Sequence, residues 1–140
     1  MSDVFDREKR RSIMQTIRLR DSEPEVWVRD FFHSLGYYTV AQPKEILGRP
    51  DVYFPDAKIA VFVHGCFWHG HKSCNRGTQR PKTNPEFWAA KVLSNRRRDA
   101  RVVRRLRADG CHVLIVWQCQ IHGRQPPARV VNTVRRLCGY

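Results

Sequence analysis

The stretch His64-Gly-Cys-Phe-Trp-His-Gly-His-Lys-Ser-Cys74 holds three imidazoles, two thiols and two large aromatics, directly behind the apolar run Lys58-Ile-Ala-Val-Phe-Val63. Packing alone does not require that density. Thiolates and imidazoles are borderline-soft ligands suited to zinc, so the segment reads as a metal site, a catalytic site or both. Upstream, Gly48-Arg-Pro-Asp51 sets a carboxylate at the start of a second apolar run, Val52-Tyr-Phe54. Two short strands, one opened by a carboxylate and the other closed by histidines, can form the edge of an active site.

The chain has 140 residues, 41% of them apolar, which is enough for one domain with a single core and not for a second. Its 26 Lys and Arg against 13 Asp and Glu give a net charge of +13, the electrostatic footprint of a protein that binds a polyanion. Nucleic acid is the expected partner. A basic protein kept soluble by its charge, or a membrane-surface binder, would have no use for the Cys/His cluster. The five cysteines, Cys66, Cys74, Cys111, Cys119 and Cys138, lack the even, close spacing of a small secreted domain. The first residues carry no apolar signal region, and no stretch approaches the roughly 20 apolar residues that span a bilayer. An intracellular, soluble protein is expected.

Residues 1 to 20 are polar and basic with sparse apolar positions, Ile13, Met14 and Ile17, so they form at most a loosely docked helix and read as a DNA-contacting arm. Residues 21 to 140 form the domain. Ser22-Glu-Pro-Glu25 has the form of a capping box and opens a helix through Trp27, Val28, Phe31, Phe32 and Leu35, closed by Gly36. A strand follows over Tyr37 to Ala41, then strands near 51 to 54 and 58 to 63, making a meander of three. Beyond a polar loop over 75 to 83, Asn84 caps a long helix with Pro85 at its first position, running to Asp109 and stopped by Gly110. Trp88, Val92, Val103 and Leu106 mark its apolar face, and Asp99 lies on the same stripe, so a carboxylate points inward. His112 to Trp117 is the clearest buried strand, and residues 127 to 138 form a last amphipathic helix. The order α, α, β, β, β, α, β, α predicts an α/β fold: a mixed β-sheet flanked by helices, antiparallel first, then a strand reached by a helical crossover.

Cys66, His71 and Cys74, joined by distant Cys119, supply a Cys3His set able to close a tetrahedral zinc site. Unpaired loop thiols and a buried Cys119 would be the duller explanation; Cys111 and Cys138 read as core fillers. Asp51 at a strand start can hold a divalent cation, which phosphodiester hydrolysis needs to offset charge on the phosphoryl oxygens. Alone, a Pro-Asp pair is equally a turn. His64 and His69, past the next strand, have the natural pKa for proton transfer. Glu25 is already explained by the capping box and reads as mainly structural, whereas Asp99, which can pair with Arg96 on its own helix, stays open between structure and catalysis. Phe67 and Trp68, interleaved with ligands, have little core to fill and suit base stacking.

Gly48-Arg-Pro-Asp51, Phe62-Val-His-Gly-Cys-Phe-Trp-His69 and Val113-Leu-Ile-Val-Trp-Gln-Cys119 together resemble the very-short-patch repair (Vsr) endonucleases. Met14, Glu25, Glu86-Phe-Trp88 and Asn95-Arg-Arg-Arg-Asp99 extend the resemblance over nearly the whole chain. It implies a single-domain restriction-endonuclease-like fold with a structural zinc, and a monomeric, cytoplasmic bacterial enzyme that needs Mg2+. The enzyme would nick double-stranded DNA 5′ to the thymine of a T·G mismatch left by deamination of 5-methylcytosine. Its functional partners would be a cytosine-5 DNA methyltransferase and mismatch-repair proteins. By the same resemblance Asp51 and the backbone carbonyl of Val63 would bind Mg2+, His69 would activate water and His64 would assist beside the phosphate. Glu25 and Asp99 would be supporting carboxylates, Asp99 orienting His69. Cys66, His71, Cys74 and Cys119 would hold zinc. Phe67, Trp68 and Trp88 would enter the duplex from the major groove and Met14 from the minor groove.

The chain departs from the family pattern at Val63, where threonine is frequent, and at Cys74, which follows His71 by three positions rather than two. A zinc-stabilised DNA-binding regulator without catalysis explains charge, cysteines and aromatics but leaves Asp51, His64, His69 and Asp99 idle. A restriction-type endonuclease on the same fold is the other alternative.

Overall fold

In a computed structural model that describes residues 23–78 and 82–139, Pro24 starts helix α1, Pro24–Ser34. The expected arm over residues 1–20, Met14 included, lies outside the described residues. Pro24 fixes its own φ and pushes the preceding residue into extended backbone, so Glu23 is the N-cap, and no side chain among the described residues caps the helix. Glu23, rather than Ser22, which lies outside the described residues, is thus the N-cap, and the helix is not framed as the expected capping box of Ser22 and Glu25 has it. Tyr37 to Ala41 does not make a full strand: only Val40 bridges, exchanging both hydrogen bonds with Tyr53. The chain then turns at Gln42, whose φ is 49°, and Gln42 N–H donates to the Pro50 carbonyl.

Strands β1 (Val52–Phe54), β2 (Ile59–His64) and β3 (His112–Trp117) form a sheet in that order. β1 and β2 are antiparallel and β2 and β3 parallel, the latter in a register running from Ile59 opposite His112 to His64 opposite Trp117. The parallel pair requires a long crossover. It is supplied by a single helical turn α2 (Asn75–Thr78), within the expected polar loop, and by α3 (Pro85–Ala108). Asn84 precedes α3 as expected but in left-handed backbone, without a side-chain cap; Gly110, at φ 90°, follows its end. A 3₁₀ turn, Gln118–Gln120, leads from β3 toward the last helix α4 (Ala128–Cys138).

Strand side chains alternate between faces, and both faces are covered. Val52, Phe54, Ile59, Val61 and Val116 pack with Val28 and Phe32 of α1 and Val130 and Val134 of α4. On the other face Tyr53, Ala60, Phe62 and Val113 pack with Leu106 of α3, beside Val102 and Val103. Phe32 sits edge-on to Phe54 at 5.1 Å and both are buried, so truncating either to alanine would cost about 3–5 kcal/mol. Alternation carries His64 onto the α3 face and Val63 onto the other. The parallel register sets the ends of β2 and β3 side by side, so the cluster loop after His64 and the Cys119 turn after Trp117 leave the sheet together.

Candidate active site and metal cluster

Asp51 stands one residue before β1, and its Oδ2 accepts a hydrogen bond from the Val63 N–H at 2.7 Å. The N–H and C=O of one strand residue point to the same side, so the Val63 carbonyl opens toward Asp51 as well. Only the Val63 backbone takes part in this contact, so the side chain at that position does not enter it. Burial raises the Asp51 carboxyl above its ordinary value, against the Val63 N–H, a Gln42 hydrogen bond and nearby His69, all of which lower it. Glu23, Glu25, Arg29, Gln42 and Asp51 line a cavity of about 390 Å³. There burial and a hydrogen bond with Glu23 push the Glu25 carboxyl up to about 7. Two carboxyl groups raised mainly by burial are what a bound cation would reverse.

His64 and His69 stack face to face, with ring centroids 3.9 Å apart and planes 4° from parallel. His69 Nδ1 lies 2.5 Å from Asp99 Oδ2, and His64 Nδ1 lies 4.0 Å from the same oxygen. Asp99 is thus half-buried and turned to the histidines rather than to Arg96. Burial raises its carboxyl, but the His69 hydrogen bond and the charge of both histidines outweigh that, and the net shift is downward. His64 is lowered to about 4, first by burial and then by neighbouring His69, and its Nδ1 is buried without a hydrogen-bond partner among the described residues. These side chains, with Arg96 and Trp117, line a cavity of about 170 Å³. The two cavities share no lining residue, but His69 is near enough to act on the Asp51 carboxyl. A hydrogen bond from His69 Nδ1 to Asp99 leaves Nε2 as the acceptor, the arrangement a general base needs.

Cys66, His71, Cys74 and Cys119 bring one donor atom each within 4.8 Å of one another. Cys119 Sγ lies 3.4 Å from His71 Nδ1. Ligand atoms of a tetrahedral zinc, with bonds of about 2.1 and 2.3 Å, lie roughly 3.5–3.8 Å apart, so the set fits zinc. Burial pushes the Cys66 thiol up to about 11, and a coordinated cation would remove that proton outright. The loop is tightly folded on itself, with the His71 N–H donating to the Cys66 carbonyl at 3.0 Å. Gly77 of α2 lies against it: a Cβ there would come within 1.9 Å of the His71 carbonyl oxygen, so no other residue fits. As expected, Cys111 is buried, and Cys138 packs beside the α4 core.

Phe67, Trp68 and Trp88 form one aromatic group, Trp68 lying 5.3 Å from Trp88 and 5.2 Å from Phe67. Trp68 is 46% exposed. Asn95 fixes this loop to α3 by donating to the Trp68 carbonyl at 2.9 Å.

Four further residues at the site had no role assigned from the sequence, although Phe87, Asn95 and Trp117 lie in segments that carry the family resemblance. Trp117 stacks on His71 at 4.2 Å and meets His64 edge-on at 5.2 Å, so one ring touches both clusters. Asn95 and Gln42 hold the loop and Asp51, and Phe87, 59% exposed and 5.1 Å from Trp88, enlarges the aromatic group. Gln42 lies in none of those segments, and the place of Trp117 between the clusters is visible only once β2 and β3 are paired in parallel.

Residues 2–76 match the family described as DNA mismatch endonuclease Vsr. The chain is 43% identical over 121 residues to the type II nicking enzyme V.XorIIP of Xanthomonas oryzae pv. oryzae, covering 86% of this chain and 88% of that protein. It is 38% identical to the type II nicking enzyme V.NmeAIP of Neisseria meningitidis, covering 89% and 87%. To the DNA mismatch endonuclease Vsr of Escherichia coli it is 37% identical, covering 89% and 79%. With its mixed sheet, its strand-end carboxylate and its Cys/His cluster, the chain belongs to the Vsr family of DNA mismatch endonucleases.

Proposed function

We propose that this protein nicks one strand of duplex DNA 5′ to the thymine of a T·G mismatch arising from 5-methylcytosine deamination, using Mg2+. The observation that carries the reading is the His69–Asp99 pair beside Asp51, whose carboxylate is held by the backbone of Val63. Asp51 and the Val63 carbonyl are the groups that would hold Mg2+, with Glu25 the supporting carboxylate in the same cavity. Bound there, the cation offsets the charge that builds on the phosphoryl oxygens.

His69 accepts the proton of the attacking water at Nε2, and Asp99, through Nδ1, is its positioning residue. His64, kept neutral by burial, offers a ring N–H beside the phosphate. Phe67, Trp68 and Trp88 enter the duplex at the mismatch. Their stacking offsets an unstacking cost of a few kcal/mol per base step, and a wobble pair is easier to open. Residues 1–20 contact DNA, and Met14 enters from the minor groove. A structural zinc on Cys66, His71, Cys74 and Cys119 ties the aromatic loop to the end of β3. The enzyme acts as a monomer in the cytoplasm, downstream of a cytosine-5 methyltransferase and alongside mismatch-repair proteins. A regulator without catalysis would leave the histidine pair and both raised carboxyl groups without a use.

The test is incubation with Mg2+ and duplexes that differ only in T·G or C·G at one position, across several sequence contexts. A nick 5′ to the mismatched thymine is expected on T·G alone. Absence of Mg2+-dependent nicking in every context would refute the reading.

A further inference from the structure

The 3₁₀ turn that carries Cys119 is gripped from outside the metal cluster. Gln120 Oε1 accepts from the Trp117 N–H at 3.1 Å and from Arg129 Nη2 at 2.8 Å. Arg129 Nη2 also donates to the Ile115 carbonyl at 2.9 Å. β3 lies at the edge of the described sheet, and the His112 N–H, which donates to the Lys58 carbonyl, fixes which of its residues face β2. By alternation Ile115 and Trp117 turn their backbone groups outward, where no strand of the described sheet pairs with them. The two side chains therefore stand where a neighbouring strand would, spanning the last outward C=O and N–H before the turn. Arg129 sits in the first turn of α4, which Val130 and Val134 anchor in the core.

We propose that Arg129 and Gln120 form a clip that positions Cys119 as a zinc ligand, a role that rests on the zinc reading above. Cys66, His71 and Cys74 share one loop, whereas Cys119 is exposed and reaches them from the far end of β3. Its Sγ keeps its place near His71 Nδ1 only if the turn keeps its angle to the strand. Holding the turn from the core-anchored helix lowers the ordering cost of the fourth ligand, as partners behind metal ligands generally do.

The test uses the full chain. Purified, zinc-loaded wild type, Arg129→Met, Gln120→Met, Gln120→Glu and Arg135→Met are mixed with a colorimetric chelator, and zinc release is followed alongside the thermal midpoint of each zinc-free form. Arg129→Met and Gln120→Met should release zinc about tenfold faster than wild type. Gln120→Glu, which keeps the shared acceptor, and Arg135→Met, which removes a charge from the same helix away from the turn, should release at the wild-type rate. If Arg129→Met does not fold, Gln120→Met reads the same contacts at the turn. Wild-type release from both methionine variants would overturn the clip, as would a lowered zinc-free midpoint with unchanged release, which marks general stability alone. A wild-type protein that neither carries nor takes up zinc would remove the zinc reading itself, and the clip with it.

Discussion

Asp99→Asn is the perturbation that isolates the proton-transfer role, because it keeps the size of the side chain and removes only its charge and its restriction to accepting. Asp99 Oδ2 lies 2.5 Å from His69 Nδ1, so the carboxylate dictates that Nδ1 carries the hydrogen and Nε2 stays open. The amide of asparagine can donate to Nδ1 instead, which puts the hydrogen on Nε2 and blocks it as a base. General-base catalysis contributes about 10²- to 10⁴-fold, equivalent to about 2.7–5.5 kcal/mol of barrier. Single-turnover nicking of a T·G duplex should slow by a factor in that range, while duplex affinity, set by the basic surface and aromatic loop, stays within about twofold. Stability supplies a control with a definite sign. Asp99 is held below the ordinary carboxylate range. Its contribution to folding is therefore present above about pH 4 and lost as pH falls through the folded value, so wild type and Asp99→Asn should converge in acid. A variant that nicks within about threefold of wild type would show that the pairing is structural and would refute the argument.

Cys119→Ser should lower both zinc content and thermal stability, whereas Cys138→Ser, beside the α4 core, should leave zinc unchanged; metal analysis and thermal melts decide. Gly77→Ala should be as damaging to zinc retention as loss of a ligand, since its Cβ would collide with the His71 backbone, and full retention would contradict the packing. Trp68→Ala should cost selectivity for T·G over matched duplex more than affinity for matched duplex, measured by parallel binding titrations. Equal losses would mean that the ring only packs against Trp88.

The parts of this fold legible in the sequence are those fixed by local chemistry. Pro85 and Gly110 bracket α3, the apolar run over 112 to 117 is β3, and the Cys3His set assembles as its spacing suggested. Asp99 points inward because its place on the stripe between Val92 and Leu106 does. What was not legible depends on contacts between distant segments. Tyr37 to Ala41 has strand character, with Tyr37 and Thr39 buried, yet the turn at Gln42 lets only Val40 pair with Tyr53. The apparent capping box dissolved because Pro24 moved the helix start, leaving Glu25 beside Asp51. Trp117, Gln120 and Arg129 acquire their places only when β3 lies parallel to β2 and α4 packs across its end.

If Asp51 and His69, from neighbouring cavities, cut DNA while separate surfaces bind it, removing one carboxylate separates the two. The most direct measurement is binding and single-turnover nicking of one T·G duplex by wild type and Asp51→Ala side by side in Mg2+. Asp51→Ala should bind as wild type does and make no nick, since the carboxylate that would anchor the cation is gone. Nicking by Asp51→Ala at the wild-type rate would contradict it.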